Sequence, residues 1–144
     1  IEDLPIETVL TPHIGEFSRL FNIDIEEIRT NPVQTCNHVS NLLGERVLVL
    51  KGAPTIVIGS DQKLNFITNG APILSTAGTG DVLAGLIGGF LAQGYSIDTS
   101  SFLGAFIHAE AGNIFYKNNG DRGLIASDLL DLVPITMKRI VYGD

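Results

Sequence analysis

The sequence predicts an α/β fold with a partly parallel sheet, and three observations lead there. Short apolar, strand-like runs alternate with segments of helical period along most of the 144 residues. Residues 46–50 (RVLVL) carry a continuous apolar run, the pattern of a parallel strand covered by helices on both faces. A hairpin and several helices follow, an order that suits one sheet with helices packed on it. Neither a repeat nor a linker interrupts residues 1–144, which read as a single unit.

Taken in order, residues 8–11 read as a first strand, stopped by Pro12. Residues 15–22 read as a short helix with Phe17, Leu20 and Phe21 on one face. Asp24 is placed to cap a turn over 25–29, and Pro32 suits a first helical position, where its missing N–H is not needed. Over residues 33–43 the helical period groups Val33, Cys36, Val39, Ser40 and Leu43. Beyond the 46–50 strand, the runs 55–59 and 64–68 flank the turn Ser60-Asp61-Gln62-Lys63 as a hairpin. Residues 81–93 read as a helix ended by Gly94. Residues 99–116 read as a second, with Phe102, Phe106, Ala109 and Ile114 for packing. Ser127 is expected to cap a helix over 128–133, and Pro134 to open a last one over 134–142.

Composition narrows the function classes. The chain is 44% hydrophobic and 17% charged, which suits a folded domain. A net charge of −7 argues against a nucleic-acid partner, so any anion must be held by local geometry. Cys36 is the only cysteine, which excludes an internal disulfide and a cysteine-rich zinc cluster and fits a cytoplasmic setting. The most apolar run, residues 82–92, is too short to cross a bilayer, no signal peptide opens the chain, and no membrane partner is expected. The chain opens on Ile1 and enters a strand almost at once, so it is expected to be a piece of something longer.

Three motifs carry chemistry. In Ala77-Gly78-Thr79-Gly80-Asp81 the glycines allow close approach of backbone N–H groups. The helix that follows points its positive end at the same place, which makes an anion site. It lacks the Gly-Lys-Ser/Thr ending of a P-loop. Asp81 has two readings, a helix cap or a base that takes a proton from a substrate hydroxyl. Lys51-Gly52-Ala53-Pro54-Thr55 follows a buried strand, and ligands of parallel sheets gather at such carboxyl ends. Lys51 there suits a nucleotide phosphate, or is an ordinary solvated lysine. His13 and Glu16, in Thr11-Pro12-His13-Ile14-Gly15-Glu16, lie three apart and face one cleft if a helix begins near Gly15. Glu16 suits a hydrated Mg²⁺, or simply complements the helix dipole. His108 and Glu110 read as satisfied polar residues of an apolar helix.

The succession TPHxGE, VLKGxxT, NGxPxLSTAGTGDVLAGxIxGxLAQG and AxxHAxAG resembles the carboxyl-terminal half of the ADP- or ATP-dependent NAD(P)H-hydrate dehydratases, over nearly the whole chain. These belong to the ribokinase-like superfamily. The resemblance implies a three-layer α/β/α fold with a mainly parallel central sheet, here without its amino-terminal half and with one sheet edge uncovered. It implies repair of hydrated NADH or NADPH with ADP or ATP as co-substrate and Mg²⁺. By position, Asp81 matches the catalytic base and a dinucleotide contact, and His13 a second dinucleotide contact. Lys51, Gly52, Ala53, Pro54, Thr55, Gly78, Thr79 and Gly80 fall in the nucleotide-binding loops, and Glu16 matches the metal-linked acid. Asp81 would deprotonate the substrate hydroxyl while the Gly78–Gly80 N–H groups stabilise the transferring phosphoryl, AMP leaving when ADP is the donor. A homo-oligomer, or association with the missing half, is expected. Two alternatives stand beside this: a ribokinase-like small-molecule kinase, and a non-catalytic nucleotide-binding fragment. Kinases of vitamin precursors usually show Asn where His13 stands.

Overall fold

A computed structural model describes Ile1 and residues 3–143. Strand β1 (Val9–Leu10) leads through helices α1 (Ile14–Phe21), α2 (Ile25–Thr30) and α3 (Pro32–Leu43) to β2 (Val47–Leu50). Strands β3 (Thr55–Ile58) and β4 (Leu64–Ile67) follow, then a 3-10 turn (Pro72–Ser75) and helices α4 (Thr79–Ala92), α5 (Ile97–Asn119) and α6 (Ala126–Tyr142).

Strand order is β1-β2-β3-β4. The long helical crossover lets β2 run parallel to β1, with Val9 opposite Val47 and Leu10 opposite Leu48. Strands β3 and β4 follow short turns and are therefore antiparallel to their predecessors. The parallel part of the described sheet is thus its β1–β2 pair, where a mainly parallel sheet was expected. Among the described residues β1 pairs with β2 alone.

Alternation along the strands builds the three layers. Leu48, Leu50, Ile56 and Ile58 face Phe17, Ile28, Cys36, Val39 and Leu43 of α1–α3. Val47, Val49, Val57 and Ile67 face Leu83, Ile87, Ala105 and Ala109 of α4 and α5. All four residues of β2 are buried, each side chain contributing about 1.5–3 kcal/mol by leaving water. That double burial is why RVLVL carries no polar alternation. A third cluster, with Ala71, Ile73, Ala111, Leu124 and Leu129, joins the 3-10 turn, α5 and α6. Burial pushes the Cys36 thiol up to about 11, so it is inert packing.

Asp24 caps α2, accepting from the Glu26 N–H at 2.8 Å, and Pro32 opens α3 as its residue type suggests. Three expectations need correction. Val33 is exposed, because the buried face of α3 runs instead through Thr35, Cys36, Val39, Ser40 and Leu43. Helix α6 begins at Ala126 with Asp128 accepting from the Ile125 N–H at 2.9 Å, so Ser127 lies inside the helix and caps nothing. Pro134 does not open a new helix. It leaves the Leu130 carbonyl without its usual N–H, yet Leu129 and Thr136 are fully buried on either side and hold α6 through it.

Candidate functional site

The parallel pairing of β1 and β2 continues as a bridge between His13 and Lys51, and the Lys51 N–H donates to the Pro12 carbonyl at 2.8 Å. Two strand-end loops are thereby fixed side by side, where ligands of such sheets collect.

In the first loop His13 is the N-cap of α1. Its Nδ1 accepts from the Gly15 and Glu16 N–H groups at 3.0 and 3.2 Å, while a Glu16 carboxylate oxygen accepts from the His13 N–H at 2.8 Å. This is a capping box with histidine in the role usually held by Ser or Thr. The His13 N–H, with help from the Lys51 charge, holds the Glu16 carboxyl below its ordinary range.

In the second loop the Thr55 hydroxyl donates to the Gly52 carbonyl at 3.0 Å and closes the turn, which contains a cis Ala53–Pro54 bond. The Lys51 ammonium lies 3.8 Å from Glu16 and, on its other side, 3.3 Å from where Gly80 would carry a Cβ. It therefore sits over the amino end of α4.

That end starts two residues earlier than expected. The N-cap is Gly78 at φ 85°, a left-handed conformation that side chains resist, and a Cβ there would lie 3.0 Å from the Ala126 Cβ. Asp81 is consequently not a cap. It is the third residue of the helix and exposed, and no hydrogen bond or ion pair among the described residues engages its carboxylate. Gly78 brings no side-chain cap either. The first turn of α4 thus keeps the N–H character and positive dipole end that attract an anion.

Thr79 secures this turn. It is 4% exposed, and its hydroxyl lies 2.7 Å from the Leu74 carbonyl and 2.8 Å from that of Thr76. Its own carbonyl is met at 2.9 Å by Nε2 of the half-buried His108 from α5. Burial pushes the His108 imidazole below its ordinary pKa. Further along α5, Glu110 accepts from Asn69 at 2.7 Å and fixes the loop leading to Pro72. Gly112 leaves room for Leu74, which a Cβ would approach to 2.6 Å.

Together these elements enclose a cleft of about 600 Å³, a nucleotide-sized volume. His13, Lys51, Gly52, Ala53, Thr55, Gly78, Thr79, Gly80 and Asp81 line it, whereas Pro54 and Glu16 do not. Its apolar wall includes Ala71, Leu74, Leu83 and Ala109. His108 also lines it. The reading of His108 as a satisfied residue holds, but its place in the cleft depends on a contact 29 positions away that no local pattern reveals. Among the described residues no group of three or more His, Cys, Asp or Glu side chains is placed to hold a metal. No helix among them is long and apolar enough to cross a membrane.

Residues 2–135 match the NAD(P)H-hydrate dehydratase family. The chain is 36% identical over 135 residues to the ADP-dependent (S)-NAD(P)H-hydrate dehydratase of Xanthomonas campestris, covering 94% of this chain and 46% of that protein. It is 35% identical over 132 residues to the bifunctional NAD(P)H-hydrate repair enzyme Nnr of Moorella thermoacetica, covering 92% of this chain and 25% of that one. The Bacillus subtilis ADP/ATP-dependent NAD(P)H-hydrate dehydratase co-crystallised with ATP/Mg²⁺ superposes with a TM-score of 0.85 at 27% identity, over 91% of this chain and 47% of that one. The chain thus spans between a quarter and just under half of the relatives it matches. With a ribokinase-like fold and a sequence match across most of its length, the chain belongs to the NAD(P)H-hydrate dehydratase family.

Proposed function

We propose that this chain is the nucleotide-binding, carboxyl-terminal half of a domain that dehydrates hydrated NADH or NADPH with an adenosine nucleotide, ADP or ATP. The observation that carries the reading is the meeting of Lys51 with the uncapped amino end of α4 in one cleft. In a protein of net charge −7, that local arrangement is what can hold a polyphosphate.

The residues take the following roles. Lys51 and the N–H groups around Gly78, Thr79 and Gly80 bind phosphate oxygens, and the Gly52–Thr55 turn with the apolar wall receives the nucleoside. His13 borders the hydrated nicotinamide. Asp81, with its carboxylate unengaged, takes the proton of the ring hydroxyl. The deprotonated oxygen attacks the terminal phosphorus, the cradle stabilises the charge that develops, and AMP departs when ADP is the donor. The ring C–O bond then breaks, inorganic phosphate leaves with that oxygen, and loss of a proton from the neighbouring ring carbon restores the double bond of the reduced ring.

The residues fit Mg²⁺ held mainly by phosphates and water, since Glu16 offers one partly exposed carboxylate and no all-protein cage accompanies it among the described residues. Bound there, Mg²⁺ neutralises phosphate charge. The edge of β1, which pairs with β2 alone among the described residues, and the 46–47% coverage of the two dehydratases above support a further half beside this one.

The test is direct. The intact protein is mixed with hydrated NADH, ADP and Mg²⁺, and recovery of NADH absorbance is followed. Recovery is the expected result. Absence of recovery, with transfer of phosphate from ATP to a vitamin precursor, would replace this reading with the kinase alternative.

A further inference from the structure

We propose that His108 is a positioning residue for the anion cradle, holding the amino end of α4 by donating Nε2–H to the Thr79 carbonyl. The inference rests on the reading above for what the cradle binds, but its geometry stands apart from that reading.

A backbone carbonyl only accepts, so the 2.9 Å contact places a proton on Nε2 and fixes the ring's orientation. Thr79 is the point where the cradle is tied together. Its hydroxyl gathers the Leu74 and Thr76 carbonyls, its N–H reaches the Thr76 carbonyl at 3.4 Å, and Gly78 before it holds the turn at φ 85°. All of these bonds lie within residues 74–79 and could shift as one body. His108 adds a hydrogen bond from Thr79 itself across to α5, a 23-residue helix packed against the sheet through Ala105 and Ala109. Removing it leaves the turn held to α5 by the packing of Leu74 and Leu83, without the hydrogen bond that fixes its register against Lys51, which reaches the cradle from a separate strand end. Anion binding needs both parts in register. The lowered pKa agrees with a ring that acts as a neutral donor rather than as a second cation beside Lys51.

Two substitutions separate this role from simple packing. His108→Gln can present an amide N–H near the Nε2 position, whereas His108→Leu keeps bulk and loses the donor. In the intact protein, amide hydrogen exchange at Asp81, Val82 and Leu83 is expected to rise about tenfold in His108→Leu and to return close to wild type in His108→Gln. ADP affinity measured by calorimetry should follow, weakened about tenfold by Leu and restored by Gln. If His108→Leu does not fold, His108→Asn, whose amide is too short to reach Thr79, takes its place. Equal losses in both variants would overturn the proposal in favour of the imidazole contacting the ligand itself, and no change in either would overturn it outright. Should the wild type bind no ADP, the nucleotide reading fails, and the exchange comparison still decides the role of His108.

Discussion

Two helices present their amino ends to the cleft region, and they finish those ends in opposite ways. Helix α1 is closed: His13 and Glu16 satisfy each other's backbone N–H groups in a reciprocal capping box. Helix α4 is more open: Gly78 contributes no side chain, the Thr79 and Asp81 N–H groups reach only the Thr76 and Gly78 carbonyls, at 3.4 and 3.1 Å, and the Asp81 carboxylate does not bond to the turn. Both ends carry the same dipole. An end whose donors are already satisfied is architecture, whereas one held rigid from behind and uncapped in front is available to a ligand. The contrast also separates the two acids: Glu16 is engaged by its neighbours and Asp81 is not.

The strongest way to break that contrast is Asp81→Asn. Its carboxylate makes no structural bond, so stability should be nearly unchanged, while turnover of hydrated NADH falls by about 10²–10⁴, the range for a lost general base. Denaturant titration beside the absorbance assay checks both halves. A variant that loses stability instead of activity would return Asp81 to a capping role.

Gly78→Ala tests whether the open end requires its glycine. The left-handed φ of 85° costs a side chain roughly 1–2 kcal/mol, and the 3.0 Å approach to Ala126 adds to that. A loss of about 2 kcal/mol in chemical denaturation is expected, accompanied by weaker nucleotide binding.

These two helix ends also show where the sequence was readable. The hairpin, the RVLVL strand, the Asp24 cap and Pro32 at the start of α3 are decided by neighbouring residues, and each was legible. The first turn of α4 was misplaced because an acid beside glycines looks like a cap, and only the backbone angle at Gly78 moves the boundary. Pro134 misled for the opposite reason, since burial of Leu129 and Thr136 against other elements outweighs a local helix breaker. The loops of the site were legible as motifs at strand ends. That His108 reaches Thr79, or that Lys51 lies between Glu16 and Gly80, depends on packing across the fold.

At the closed end the effects are smaller. His13→Ala removes the acceptor for two N–H groups and should cost about 1 kcal/mol, within the range for lost N-caps, and His13→Asn should recover most of it. A comparable loss in both variants would show that the imidazole matters through some other contact.

Glu16→Gln isolates the electrostatic part of the same cap. Glutamine still accepts from the His13 N–H, so the box survives while the titration disappears. Because the folded state holds Glu16 below its ordinary value of 4.5, the stabilisation is complete above that value and is lost as pH falls through the lower folded one. Wild type should therefore lose stability in this acid window, and the variant should lose less. The difference should be below about 1 kcal/mol, since the carboxylate is 46% exposed and water screens its interaction with Lys51. Unfolding midpoints measured at stepped pH provide the comparison. Identical acid limbs would mean that the charge of Glu16 adds nothing to the cap, leaving its backbone hydrogen bond to His13 as its whole contribution to α1.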